Sequence, residues 1–324
     1  MRNFKICHIG CGGMSVRGHG PALKKYSEEF PDTELAGCCD LDESRAEEFK
    51  RFFGFTKSYT HWRSMLNEIK PDAVCLVVPV KFTADIAYEI LKAGYNLLTE
   101  KPPGMTKDEC NHILFGVDES GKKAMAAFNR RYMPLVKKLK KMVGEETLDH
   151  IRYDFLRVSR KDPDFSTTAI HGIDTVKMIA GCDYTAVTVE YQGLDSTPVG
   201  NIFIDGKMSS GTTVSLNFYP DSGLTAERVT LIAGSKTWFL NIPIWDCPDY
   251  PGNILYYENG ELKESITGEL TDKFISSGFY DEHKDFYEAV RNDMPVPHNI
   301  SDSYQSVELM ELIRGKRTIF PSKP

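Results

Sequence analysis

From Phe4 to Asp118, short apolar runs alternate with amphipathic stretches. Phe4–Gly10 is apolar and ends on glycine. Thr33–Asp40 is a second such run, and Glu43–Phe53 then sets Ala46, Phe49 and Phe53 on one helical face. His61–Ile69 reads as a short helix, Ala73–Val78 as a strand behind Pro71, and Thr83–Ala93 as a helix closed by Gly94. Tyr95–Thr99 is the next strand and Lys107–Asp118 the next helix. Strands and helices in this alternation predict a parallel sheet wound on both faces.

Beyond Leu148 the pattern changes. Leu148–Val158, Ala186–Leu194, Asn201–Asp205, Gly211–Tyr219, Arg228–Ala233, Thr237–Ile242 and Ile254–Glu258 read as successive strands, with Asp205-Gly206 and Asn259-Gly260 as hairpin turns. A helix at Thr168–Ala180 interrupts them and ends at Gly181. Amphipathic helices at Asp281–Arg291 and Ser301–Arg314 close the chain. The expected fold class is α/β: a doubly wound parallel sheet over residues 1–122, then an α+β domain over 123–324 with a large, mostly antiparallel open sheet.

The length of 324 residues agrees with two domains, each able to bury its own core. A formal net charge of −7 speaks against bulk nucleic-acid binding, which needs a basic face. The densest apolar run, Ala73–Val80, is far shorter than the ~20 residues of a membrane helix. The opening Met1–Cys7 reads as a strand rather than a signal peptide. The eight cysteines form no Cys-x-x-Cys pair and no zinc spacing with histidine. Free thiols, no metal and a cytoplasmic location are therefore expected.

Candidate chemistry begins where the first strand ends, at Gly10-Cys11-Gly12-Gly13-Met14-Ser15. This is a Gly-x-Gly-x-x-Gly pattern with serine in the third place. The first glycine makes the tight turn, the second lets a pyrophosphate approach the backbone, and a small third residue permits close helix packing. Asp40, at the tip of the second strand, suits the adenine-ribose hydroxyls and repels a 2′-phosphate, so NAD is expected over NADP. Asp40 and Asp42 are equally suited to a helix N-cap, and Arg45 lies close by in sequence. Glu100-Lys101-Pro102 follows the strand Tyr95–Thr99, which sets Lys101 at the carboxyl edge of the sheet, where such folds bind ligands. Asp281-Glu282-His283 opens a helix, where acidic residues favour the dipole, and the lysines from Lys137 to Lys141 read as a solvated helix face.

Several stretches resemble, in order, the glucose-fructose oxidoreductase, inositol dehydrogenase and rhizopine-catabolism (Gfo/Idh/MocA) oxidoreductases. They are Gly10-Cys11-Gly12, Cys39-Asp40, Lys70–Val74, Ala93–Pro102, Phe128–Tyr132 and Ile170–Asp174. The resemblance implies an N-terminal Rossmann domain, a second domain with an open sheet, and a homodimer or homotetramer formed through that sheet. It implies that Lys101 contacts both nicotinamide and substrate, and that His171 is the general base. Asp174 then either orients the imidazole or faces solvent. Two positions depart from the family pattern: Thr167 stands where an aspartate is common, and Thr83 where a histidine is.

The implied cofactor contacts are Gly10, Gly12, Gly13, Met14, Asp40, Pro79, Glu100 and Lys101. The candidate substrate contacts are Lys101, Thr167, His171 and Asp174 from the resemblance, Arg130 and Tyr132 because their segment joins the two domains, and Arg157, with Arg160 a further candidate donor, at the end of a strand just before the His171 helix. The expected activity is hydride transfer between NAD and a hydroxyl carbon of a sugar, glycoside, cyclitol or related polyol. The alternatives are a glycosidase or lyase that oxidises its substrate transiently, and a non-catalytic sensor of dinucleotide or sugar.

Overall fold

Strand β1 (Phe4–Ile9) is buried at nearly every position, as a strand covered on both faces must be. It forms the middle of a six-stranded sheet with β2 (Thr33–Cys39), β3 (Lys57–Tyr59), β4 (Ala73–Leu76), β5 (Asn96–Glu100) and β6 (Ala124–Ala127). The order is β3-β2-β1-β4-β5-β6 and every pairing is parallel. The connecting helices are α1 (Gly20–Glu29), α2 (Glu43–Phe53), α3 (Trp62–Ile69), α4 (Thr83–Lys92) and α5 (Lys107–Ser120). Asp42 caps α2 by accepting from the Ser44 and Arg45 amides, and Gly54 and Gly121 end α2 and α5 in the left-handed region. The chain direction reverses its lateral progress between β1 and β4, the switch point at which such sheets bind ligands beyond their carboxyl ends.

The computed structural model describes residues 3–162, 164–193, 199–245 and 247–321. These form two compact units: Met1–Asn129 with Gly278–Tyr304, and Arg130–Ser277 with Gln305–Pro324. The division differs from the expected boundary between residues 122 and 123. Strand β6 ends only at Ala127, and the chain later returns to the first unit with helix α9 (Phe279–Arg291), which packs on α1. Gly18 makes room for that return, because a Cβ there would stand 2.7 Å from the Phe279 ring.

Among the described residues the second unit holds nine strands: β7 (His150–Leu156), β8 (Tyr184–Gln192), β9 (Asn201–Met208), β10 (Thr213–Tyr219), β11 (Ala226–Ala233), β12 (Lys236–Asn241), β13 (Asn253–Glu258), β14 (Glu261–Thr267) and β15 (Ile319–Phe320). Their order is β14-β13-β12-β11-β7-β10-β9-β8-β15; only β7 and β10 pair in parallel. Helices α6 (Pro134–Val143), α7 (Ser166–Ala180) and α10 (Tyr304–Arg314) supply the core on one face, with α8 (Lys273–Ser276) a single short turn. Asn259 and Gly260, both at positive φ, make the expected hairpin between β13 and β14.

Asp205-Gly206 does not turn. It lies inside β9, where Gly206 lets β8 approach closely, since a Cβ would stand 2.5 Å from the Ala186 carbonyl oxygen. The turn comes later, at Ser209–Gly211, with Gly211 at φ +91°. Leu194, the expected end of one strand, lies outside the described residues.

Candidate functional site

In the first unit the glycine loop leaves β1 at its carboxyl end. Gly10 has φ +92°, and a Cβ there would stand 2.0 Å from the Val77 carbonyl oxygen just beyond β4, so no other residue fits. Nothing lies within 4 Å of where a Cβ of Gly12 or Gly13 would be, which leaves the loop backbone facing open space. The Ser15 hydroxyl donates to the Gly10 carbonyl at 2.5 Å, closing the loop onto the helical turn that follows. That turn, Ser15–His19, is wound as a π-helix, a form that concentrates at functional sites. Met14 just before it is 43% exposed.

Asp40 ties the loop to the second strand. One carboxylate oxygen accepts from the Cys11 amide at 2.8 Å and the other from the Asp42 amide at 3.0 Å. A carboxylate offers about four acceptor positions, so lone pairs remain for ribose hydroxyls. Cys11, Gly12, Gly13, Arg45, Phe49 and Phe52 line a depression of about 320 Å³ beside the loop. Arg45 is exposed there, with Asp42 3.5 Å from its guanidinium. The open glycine backbone, the acidic residue at the tip of β2 and this depression fit an adenine dinucleotide.

Pro79 is exposed beyond the carboxyl end of β4, and Glu100 and Lys101 stand at and just past the carboxyl end of β5. The structure thus brings the eight proposed cofactor contacts to the same edge of one sheet. Glu100 accepts a hydrogen bond from His19 Nε2 at 3.1 Å. Burial alone would raise its carboxyl, but this bond and the neighbouring Lys101 charge outweigh it and hold the group below the usual carboxylate range.

The second unit sorts the other candidates. Thr167 and His171 are both half-buried on α7, one helical turn apart, and Arg160 reaches Thr168 beside them at 3.5 Å. Gly172 lets the helix lie close on the sheet, since a Cβ there would meet the Phe218 ring at 3.0 Å. Asp174 neither orients the imidazole nor faces solvent. It is 1% exposed and accepts two hydrogen bonds from Arg131, at 2.7 and 2.8 Å, and one from Ser306.

Arg130 and Arg157 are committed as well. Arg130 donates to the fully buried Glu227 at 2.6 and 2.5 Å, Arg157 donates to the same carboxylate, and the Tyr153 hydroxyl adds a bond at 2.5 Å. Arg157 also lies 3.7 Å over the Phe155 ring. These guanidinium groups stabilise the sheet rather than stand ready for a ligand. Tyr132 is buried, at 4% exposure. Glu227, which organises this region, carries no sequence signal of its own, and Arg131 lies in the Phe128–Tyr132 stretch without a role that could be read there, because their partners lie many residues away.

All eight cysteines are free thiols. Among the described residues no helix is long and apolar enough to cross a membrane.

Residues 4–128 match the Gfo/Idh/MocA family model, described as an oxidoreductase family with an NAD-binding Rossmann fold. The match runs from β1 to just past β6, so the likeness to this family is that of the parallel-sheet segment. This chain's relatives include D-glucoside 3-dehydrogenase of Escherichia coli (strain K12), 26% identical over 158 residues, or 49% of this chain and 44% of that protein. Levoglucosan dehydrogenase of Pseudarthrobacter phenanthrenivorans is 31% identical over 171 residues, 51% of this chain and 44% of the relative. The matches thus span about half the length of these curated relatives. A solved levoglucosan dehydrogenase, in complex with NADH and L-sorbose, shares the fold across 98% of both chains, with a TM-score of 0.82 at 18% identity.

Proposed function

We propose that this chain is an NAD-dependent dehydrogenase acting on a hydroxyl carbon of a sugar, glycoside, cyclitol or related polyol. One observation carries the reading: an open glycine loop, an acidic residue at the tip of β2 and Lys101 share the carboxyl edge of a sheet ordered 3-2-1-4-5-6.

The Gly12 and Gly13 backbone would receive the pyrophosphate, with Met14 at the start of the helical turn and Pro79 and Glu100 along the edge. The lone pairs of Asp40 left by Cys11 and Asp42 would accept from the ribose hydroxyls. Its charge disfavours a 2′-phosphate, which supports NAD over NADP. The bound nicotinamide supplies the hydride acceptor or donor. The Lys101 ammonium stabilises charge developing on the substrate oxygen, an effect strengthened where water is excluded. His171 takes the hydroxyl proton, since an imidazole titrates near neutrality, and Thr167 on the same helix face hydrogen-bonds the substrate.

The test follows nicotinamide absorbance on adding pooled sugars, polyols and glycosides with NAD, with product analysis of the same samples. Sustained growth of the reduced band supports the dehydrogenase. A flat band with altered sugars would replace it by transient oxidation, and no change with NAD bound would leave a sensor. Lys101→Ala is expected to lose at least about tenfold in turnover with NADH binding kept, the loss of roughly 1.4 kcal/mol of transition-state stabilisation. An unchanged rate would remove Lys101 from the mechanism. A cytoplasmic homo-oligomer joined through the open face of the nine-stranded sheet completes the proposal, and light scattering coupled to gel filtration tests the assembly.

A further inference from the structure

Inside the first unit, four polar side chains from four elements meet in a region closed to solvent. His19 (after the glycine loop), Cys75 (β4) and His283 (α9) are all fully buried, and Glu100 (β5) is 14% exposed. His19 Nε2 lies 3.1 Å from Glu100 Oε1, His19 Nδ1 lies 2.8 Å from His283 Nε2, and His283 Nδ1 lies 3.1 Å from the Tyr287 hydroxyl. The Cys75 Sγ sits 3.9 Å from His19 Nδ1. The edge of the Phe279 ring, with its centroid 5.1 Å from that of His19, helps close the region.

The polarity of this chain follows from its ends. An ionised carboxylate only accepts, so His19 presents its Nε2–H to Glu100. A neutral His19 then accepts at Nδ1, from His283 Nε2–H. His283 in turn accepts at Nδ1 from the Tyr287 hydroxyl. Each ring nitrogen has one role, and every proton points towards Glu100. The two imidazoles are separated by a normal hydrogen-bond length rather than opened around a shared cation, and no fourth donor completes a tetrahedral set with His19, Cys75 and His283 among the described residues.

We propose that His19 and His283 are positioning residues: the Tyr287–His283–His19 relay holds the Glu100 carboxylate ionised and aimed away from the substrate side, with its charge beside Lys101. This deepens the dehydrogenase reading, because Lys101 is the cation that reading places against the substrate oxygen. A buried carboxylate without a donor protonates, and the neighbouring ammonium then loses its counter-charge. The charged and titratable groups facing the relay, among the described residues, are His8 from β1, Tyr26 from α1, Cys75 from β4, Lys101 after β5, and Glu282 and Tyr287 from α9. Burial keeps His283 neutral and the Tyr287 phenol protonated, as the relay requires.

The direct readout is the titration of Glu100 itself, followed through the side-chain carboxyl carbon in full-length protein labelled with carbon-13 glutamate. Glu100→Gln identifies the resonance by removing it. His19→Gln keeps an N–H donor at the Nε2 end and is expected to leave the Glu100 midpoint in place. His19→Leu is expected to raise it by about one pH unit or more, about tenfold in proton affinity, and His283→Leu to raise it by a smaller amount in the same direction. Where His19→Leu fails to fold, His283→Leu supplies the comparison. An unmoved midpoint in the leucine variants, or a stoichiometric metal ion in the purified protein, would overturn the relay. The acid limb of kcat/KM is expected to move with the Glu100 midpoint. If the midpoint moves and turnover does not, the relay stands and the role given to Lys101 fails.

Discussion

Glu227 is the most heavily loaded group in the second unit, and replacing it by glutamine tests how that unit is held. The side chain is fully buried on β11 between Arg130, Arg157 and Tyr153. Burial alone would raise its carboxyl; the two guanidinium charges outweigh this and hold it at about 2, against an ordinary 4.5. At about 1.4 kcal/mol for each unit of pKa, the charged form contributes on the order of 3 kcal/mol to folding. Removing one side of a buried ion pair costs a similar ~3–5 kcal/mol, because the partners stay charged and uncompensated.

The sign is that of a depressed carboxylate. The contribution is complete above about pH 4.5 and is lost as pH falls through the folded value near 2. Glu227→Gln is therefore expected to lose about 3 kcal/mol at neutral pH. The gap to the parent should shrink by roughly 1.4 kcal/mol for each pH unit below 4.5. Urea unfolding followed by tryptophan fluorescence measures this, in a Trp62→Phe background where Trp238 and Trp245 report on the second unit alone. A loss under about 1 kcal/mol at pH 7, or a gap that stays constant down to about pH 3, would refute the reasoning.

Other outcomes follow from the first unit. Gly10→Ala, at φ +92° and with its Cβ 2.0 Å from the Val77 oxygen, should weaken NADH binding at least about tenfold by displacing the loop, measured by nicotinamide fluorescence; unchanged binding would show the loop is not the cofactor cradle. Asp40→Asn keeps an acceptor for the Cys11 amide but removes the charge, so the ratio of NADPH to NADH affinity should rise about tenfold by isothermal titration, and a constant ratio would remove Asp40 from cofactor choice. Gly18→Ala pushes a methyl group into the Phe279 ring and should destabilise the first unit by about 1–3 kcal/mol, with Phe279→Leu recovering part of it in a double-mutant cycle; additive losses would mean that the ring yields freely.

The elements that could be read along the chain were those whose signal is local. β1 with its glycine, the Asp42 cap of α2, the Asn259-Gly260 turn and the helix ending at Gly181 each carry pattern and punctuation within a few residues. Asp205-Gly206 misled for the same reason. The pair has the composition of a turn, but the glycine serves close strand contact, which depends on β8. The unit boundary was hidden because α9 looks like any amphipathic helix. The Phe279 ring over Gly18, the His19–His283 hydrogen bond and the packing on α1 assign it to the first unit.

The same logic separates the site residues. The glycine loop and Asp40 are recognisable because the expected chemistry calls for them at fixed places after a strand, and in the structure both lie at the carboxyl edge of the sheet, joined by the bond from the Cys11 amide to Asp40. Arg130, Arg157 and Asp174 were assigned to substrate from residue type and place along the chain. Their use was decided by Glu227, 97 and 70 positions beyond the two arginines, and by Arg131, 43 positions before the aspartate. A charged side chain near a site is as often neutralised by the fold as offered to a ligand, and only its partner tells which. His19 and His283, 264 residues apart, are the extreme case: neither has a motif, yet together they fix the hydrogen-bonding of Glu100, the one residue of the pair Glu100-Lys101 that the sequence left without a mechanism. Lys101 supplies a charge to the proposed reaction, and the side chains that keep its neighbour ionised are part of what makes that charge available.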